Sequence, residues 1–267
     1  MRRKGLYKPT IEDIIEISGI EALHPGGMAL TQRTGELAEL KPGMKLLDVS
    51  SGRGTQSIFY AKEYGVNVTG IDISEEMVKF AMKNAKNENV QDLASFEIGD
   101  SQELPFEDNQ FDVVVNECAV GIPDDSQKVL NEMTRVVKNG GTVIIHESTW
   151  RKKLSDEEKE EISERYGTTP LEYDEWIEML QNAGVSEIIT EFDQWSKPEI
   201  FWKIRKDREV EDYSKVLTRS ELSTTIQRVT ELYGEEGVKI ALSNQKKFWE
   251  IVLDGTLGYC LFKGVKK

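Results

Sequence analysis

Cysteine and histidine are scarce: the 267 residues hold only two of each. Cys118 and Cys260 lie far apart, with no CxxC pair and no histidine cluster beside them. That pattern gives no disulfide framework and no metal site, and it fits a reducing interior. Long apolar runs are missing too. None approaches the roughly 18 residues of a membrane span, so no membrane insertion is expected. Positive charge is short, with 34 basic against 48 acidic side chains, a net charge of −14 and a pI near 4.8. Such a surface repels polyphosphate and anionic lipid, which makes nucleic acid an unexpected partner. Of that net charge, −10 falls between residues 46 and 150. The opening MRRKGLYKPTIEDIIEISGI has a basic head, but Glu12, Asp13 and Glu16 interrupt what would have to be an apolar signal core, and a cytoplasmic location is expected.

What is present is a regular alternation. From Lys45 to Lys138, short apolar strands (KLLDV, VNVTGID, ASFEIGD, FDVVVNE) alternate with helical stretches, the pattern of a parallel sheet with covering helices. Ser74 is placed to cap a helix, with Glu75 and Glu76 in its first turn and Met77, Val78 and Ala81 on its buried face. Val129, Leu130, Met133, Val136 and Val137 recur at helical spacing, and Asn139-Gly140-Gly141 is expected to end that helix before the strand TVIIHES. Beyond Trp150 the chain turns charged and helical. RKKLSDEEKEEISERYG reads as a solvated helix face, YDEWIEMLQNAGVSEIITEF as helix, glycine stop and strand, and TLGYCLFKGV as a final strand after about fifty helical residues.

The chemistry concentrates in LLDVSSGRGTQS. A strand ends at Asp48 and Val49, and a small-residue turn from Ser50 to Gly54 opens a helix. Glycines there let backbone come close to a ligand, and the helix start offers free N–H groups to a carboxylate or phosphate. Asp72, at the end of the second strand, is placed for a carboxylate that accepts from ribose hydroxyls, so an adenosine-containing ligand follows. Gly52 to Ser57 (GRGTQS) nearly satisfies the dinucleotide pattern GxGxxG, with Ser57 in place of the last glycine. In that pattern, however, the first glycine follows the strand directly, whereas here Gly52 comes four positions after Asp48.

These residues resemble instead the first motif of class I S-adenosylmethionine-dependent methyltransferases, an acidic residue followed by glycines at alternate positions, occupied here by Asp48, Ser50, Gly52 and Gly54. Ser50 departs from the usual glycine, which makes a positive φ there more costly. GIDIS, with Asp72 and Ile73, is similar to the family's ribose-binding strand end. GDSQELPFEDNQFDVVV resembles the stretch in which Asp100 accepts from the adenine amino group and Ser101 lies against the ring. LPFEDNQFD is typical of a small-molecule branch that includes quinone-biosynthesis enzymes. LHPGGMALT resembles the segment before the core in phosphoethanolamine and arsenite methyltransferase-like groups, where the Gly26-Gly27 backbone approaches the methionyl end. Asn116 joins the cofactor-binding set on the same resemblance.

The resemblance implies a Rossmann-like α/β fold: a seven-stranded, mostly parallel sheet with an antiparallel last strand and a helical cap inserted near the C-terminus. The expected divisions are residues 1–44 (N-terminal helix and glycine loop), 45–150 (cofactor core) and 151–267, with the cap insertion at about 197–253. S-adenosylmethionine is the implied cofactor and a small molecule the implied acceptor; a protein methyltransferase or a non-catalytic binding subunit are the alternatives. No general base is evident. Both histidines fall near the expected site, so His146 with its neighbour Glu147, at the carboxyl end of the fifth strand, and His24 in the glycine loop, are the candidates. Cys118 sits where arsenite methyltransferases carry one of several thiols, but the rest of that set is absent. The five tryptophans, all at or after Trp150, read as packing for the cap or as an aromatic lid over the acceptor.

Overall fold

The computed structural model describes residues 8–18 and 24–267; the basic head lies outside them. The elements are α1 (Ile11–Ser18), α2 (Gly27–Leu37), β1 (Lys45–Val49), α3 (Thr55–Tyr64), β2 (Asn67–Asp72), α4 (Glu75–Asn87), β3 (Ala94–Ile98), β4 (Phe111–Glu117), α5 (Ser126–Val136) and β5 (Val137–Trp150). They continue with α6 (Asp156–Tyr166), β6 (Leu171–Glu172), α7 (Tyr173–Asn182), β7 (Val185–Glu191), α8 (Pro198–Phe201), a 3-10 turn at Tyr213–Lys215, α9 (Arg219–Leu253) and β8 (Leu257–Lys266).

One sheet runs in the order β3-β2-β1-β4-β5-β8-β7. Its first five strands are parallel, and β8 is antiparallel to both β5 and β7. The seven-stranded, mostly parallel sheet read from the sequence is therefore the one observed. A two-residue β6 adds to the end of β5, too short to leave a hydrophobic pattern in the sequence.

Period-two alternation builds the two covered faces. Leu46, Val113, Val115 and Ile144 point to the layer containing α3 and α4, while Leu47, Val49, Val114, Val143 and Ile145 point to α5 and α7. Each fully buried leucine or isoleucine contributes about 2 kcal/mol relative to exposure. Ser74 caps α4 by accepting from the Met77 N–H at 3.4 Å, and Val78 and Ala81 are buried. On α6, a capping box between Ser155 and Glu158 holds a largely exposed helix whose one buried residue is Tyr166.

One boundary departs from expectation. α5 ends at Val136, and Val137 already pairs with Phe111 in the sheet. The left-handed Gly140 (φ 75°) serves an irregularity between the Phe111 and Val113 pairs instead of closing the helix. The β-branched Val137 favours extended backbone once its neighbour is a strand.

Between β7 and β8 lie α8, the 3-10 turn and α9. α9 is two helices joined at Gly234, whose φ of 71° and ψ of −177° break the helical run. α1 is tied to it: the Asn244 side chain donates to the Pro9 carbonyl and Arg228 to that of Ile17, both at 2.9 Å. Among the described residues no helix is long and apolar enough to cross a membrane.

Candidate active site

Parallel strands deliver their carboxyl ends to one edge of the sheet, and there a cavity of about 1060 Å³ opens. One end is built from backbone. Ser50, Gly52 and Gly54 all adopt left-handed φ, 62°, 53° and 75°. Gly54 is enforced by packing, since a Cβ there would sit 2.7 Å from the Phe96 ring and 2.9 Å from Ala81. Gly52 has nothing within 4 Å of the same position and lines the cavity, so its missing side chain leaves room for a ligand. Ser50, a non-glycine residue in this region, carries the conformational cost expected from the sequence.

Asp72 locks this turn to the neighbouring strand. Its two oxygens accept from the Gly52 and Ser74 N–H groups, each at 2.9 Å, and each oxygen keeps a further lone pair for a ligand. Ile73 beside it lines the cavity although 63% exposed. Asp100 and Ser101 also line the wall, and one Asp100 oxygen accepts from the Gln102 N–H at 2.8 Å. Asp48 is buried and accepts from the Ser57 hydroxyl at 2.6 Å. Burial, with the charge of Glu117 nearby, pushes its carboxyl up to about 8.

Four residues expected in direct cofactor contact, Gly26, Gly27, Gly54 and Asn116, are off this wall. Asn116 is fully buried, and its amide joins the Val49 carbonyl (3.0 Å) to the Ala119 N–H (2.8 Å), bracing β1 against the turn after β4. Gly26 and Gly27 make a tight turn that starts α2. A Cβ on Gly26 would meet Leu30 at 2.8 Å, and its N–H donates to the Ile200 carbonyl. Among the described residues of that loop, His24 and Pro25 are the ones that reach the cavity. Gly54 likewise shapes the turn from behind.

Beneath the middle of the cavity lies a buried polar cluster. Glu117, at the end of β4, accepts from Tyr60 on one oxygen and from Thr31 at 2.8 Å on the other, which also lies 2.5 Å from His24 Nε2. Burial opposes its charge, but His24, His146 and the Tyr60 hydroxyl outweigh this and hold the carboxyl well below the usual range. His146 is wholly buried and not part of the cavity wall; burial depresses its ring to about 3. Glu147 points the other way. It accepts from the Val120 N–H at 2.6 Å and the Gly121 N–H at 3.3 Å, and burial raises it to about 8. Neither of the two residues favoured for the acceptor side therefore faces the cavity, while Glu117 does.

The far end of the cavity is apolar. Ile11, Ile14 and Ile15 of α1 face Tyr166 of α6, Phe201 of α8, and Phe248 and Trp249 of α9. The rings of Tyr166, Trp249 and Phe201 lie 5.0, 5.0 and 6.4 Å from that of Phe248. Among the described residues the wall carries one cationic side chain, Arg53, itself held 4.6 Å over the Phe80 ring. Against it stand Asp48, Asp72, Asp100, Glu117 and Asp124, with Glu12 and Glu16 at the apolar end.

A family model described as a methyltransferase domain matches residues 40–193. The chain belongs to the class I S-adenosylmethionine-dependent methyltransferases. A curated relative, phosphoethanolamine N-methyltransferase of Triticum aestivum, is 31% identical over 166 residues, covering 62% of this chain and 32% of the relative. The chain thus spans about a third of that relative's length. The methyltransferase also resembles two solved structures in fold. One is a putative sarcosine dimethylglycine methyltransferase of Galdieria sulphuraria (TM-score 0.75, 20% identity, 95% of this chain and 96% of that one). The other is Haemonchus contortus phosphoethanolamine N-methyltransferase 2 bound to phosphomonomethylethanolamine and S-adenosylhomocysteine (TM-score 0.71, 22% identity, 97% and 58%).

Two further features of the methyltransferase bear on what the sequence left open. Cys118 reaches the cavity, but burial pushes its thiol well above the usual range, and Cys260 is buried within β8. Of the five tryptophans Trp249 alone lines the cavity. Trp176 is fully buried in α7 and donates to the Ser148 carbonyl, and Trp195 donates to Glu191.

Proposed function

We propose that this chain transfers a methyl group from S-adenosylmethionine to a small, largely apolar acceptor that carries no phosphate. The bound cofactor supplies a methyl group on a sulfonium centre, which needs alignment and exclusion of water more than covalent help. The cradle fits such a donor. An open Cβ position at Gly52, the spare lone pairs of Asp72 and the exposed Ile73 suit backbone approach, ribose hydroxyls and a flat base. Asp100 and Ser101 complete that end on this reading, Asp48, Ser50 and Gly54 shape it, and the described residues 8–18 and 24–44, with 197–253, cap the 45–150 core. Two free cysteines, and no spanning helix among the described residues, suit the reducing, aqueous interior of a cell.

The observation that carries the acceptor class is the wall of the far chamber, apolar and aromatic, with acidic groups and no lysine or arginine among its described residues. A phosphomonoester, such as the one in the wheat relative's name, brings about −1.5 to −2 charge and requires cationic or helix-terminal partners. A neutral ring or an apolar amine meets no such penalty, and the ring faces of Phe248 and Trp249 suit either. The buried Trp249 N–H, which has no partner, offers one hydrogen bond to an acceptor heteroatom.

The test is a transfer assay with methyl-labelled donor against two panels, apolar amines and phenols on one side and phosphoethanolamine with its methylated forms on the other. Label should move to members of the first. Turnover confined to the phosphorylated panel would overturn the acceptor assignment, and absence of donor binding by calorimetry would overturn the reading altogether.

A further inference from the structure

The buried cluster under the cavity contains a mismatch of hydrogen-bond donors. His24 Nδ1 lies 2.8 Å from the Pro25 carbonyl, which can only accept, so this nitrogen carries a proton, and Nε2 faces Glu117 Oε2 at 2.5 Å across a proton that a cation would displace. Thr34 spends its hydroxyl proton on the Leu30 carbonyl at 3.1 Å. It must therefore accept from His146 Nε2, 2.5 Å away, which leaves the His146 lone pair on Nδ1. That Nδ1 is fully buried and has no partner, and it lies 3.9 Å from Glu117 Oε2. One open imidazole lone pair, one imidazole nitrogen with a displaceable proton and a carboxylate oxygen thus converge, all within 4.8 Å of one another.

We infer that His24, Glu117 and His146 form a binding site for one divalent transition-metal ion, such as zinc or ferrous iron, at the floor of the cavity. The surroundings match what metal-binding imidazoles and carboxylates need. Each ring donates its other N–H outward, to a backbone carbonyl or a threonine, and the carboxylate is steadied by Tyr60 and Thr31. Two nitrogens and one oxygen select a borderline ion over magnesium or calcium, which prefer all-oxygen shells. Tetrahedral donors at about 2.1 Å from zinc stand about 3.4 Å apart. The His24–Glu117 pair, now 2.5 Å apart, would open, and His146, 3.9 Å from the same oxygen, would close. Because His24 and Glu117 line the cavity and His146 does not, the remaining coordination position faces the acceptor space. Sequence alone argued against any metal, since the two cysteines lack a CxxC spacing and a histidine cluster; the fold brings His24, Glu117 and His146 together.

The site is independent of methyl transfer and is tested without donor or acceptor. The chain has only two histidines, both in this cluster, so a long-range 15N imidazole spectrum of untagged, chelator-stripped protein reports these two rings alone. Titration with zinc should shift both imidazoles in step and saturate at one equivalent. Glu117→Gln should weaken the binding at least tenfold, with fold checked by circular dichroism. Response of neither ring, of one ring only, or beyond one equivalent without saturation would overturn the assignment. The wild-type titration decides the matter even should the variant fail to fold. Calorimetry with S-adenosylmethionine on the same stripped sample reports the donor site separately.

Discussion

The two ends of the cavity are made by different means. The cofactor end is backbone: three left-handed residues within five positions, tied by one aspartate to the next strand. The floor is side chain: His24, Thr31, Thr34, Tyr60, Glu117 and His146 come from five stretches of the chain and are held by one another. A backbone cradle tolerates sequence drift except where a Cβ collides, whereas a mutually satisfied buried network fails when one member is lost.

That contrast can be broken at either end. The largest effect belongs to Glu117→Ala, which leaves Tyr60, Thr31 and His24 facing a void; a loss of about 3–5 kcal/mol is expected in urea unfolding. Gly54→Val should follow, at about 3 kcal/mol, from the Phe96 collision and a left-handed β-branched residue. If it cost less than Ser50→Ala, the cradle would not depend on packing at this glycine. Asp72→Ala should reduce S-adenosylmethionine affinity by about tenfold or more, measured by calorimetry, for the loss of charge-assisted bonds worth about 1.5–3 kcal/mol each. Unchanged affinity would remove Asp72 from the donor site. Ser50→Gly should stabilise the fold by about 1 kcal/mol, read as a higher melting temperature, by relieving left-handed strain.

A gentler probe uses pH. The Asp48 carboxyl is raised in the folded state to about 8, above its unfolded value near 4. The native state therefore holds the extra proton, and the stability from this group is full below about pH 4 and lost as pH climbs toward 8. Glu147 acts in the same direction. His146, depressed in the folded state, has the opposite slope but only below its unfolded value near 6.5. Between about pH 6.5 and 8 the wild-type melting temperature should thus decline, and Asp48→Asn should flatten part of that decline.

The same contrast explains what could be read in advance. The alternating strands and helices and the turn from Asp48 to Gly54 are local patterns of hydropathy and small residues, and the resemblance those motifs carry implied the arrangement of the sheet. The floor is not local. Glu117 closes β4 after the apolar run Val113–Val115, at the edge where ligands bind, and that charge at the strand end was the available signal. Its partners could not be named without the fold, because nothing in the spacing of residues 24, 31, 60 and 146 places them together. Asn116 shows the converse error: a polar residue beside the site whose amide is consumed by backbone. The tryptophans divide for a similar reason, since ring size announces burial and not which surface is buried.

The position of β8 has a consequence for how the chain is assembled on the ribosome. β7 touches the rest of the sheet through β8, its hydrogen-bonded neighbour, yet β8 is synthesised more than sixty residues later. The finished strand β7 must wait, its edge unpaired, until α9 and then β8 emerge and slot into the gap beside β5. Over that interval the nascent molecule exposes two facing strand edges, and any holdase or prolonged translational pause would act on this segment first.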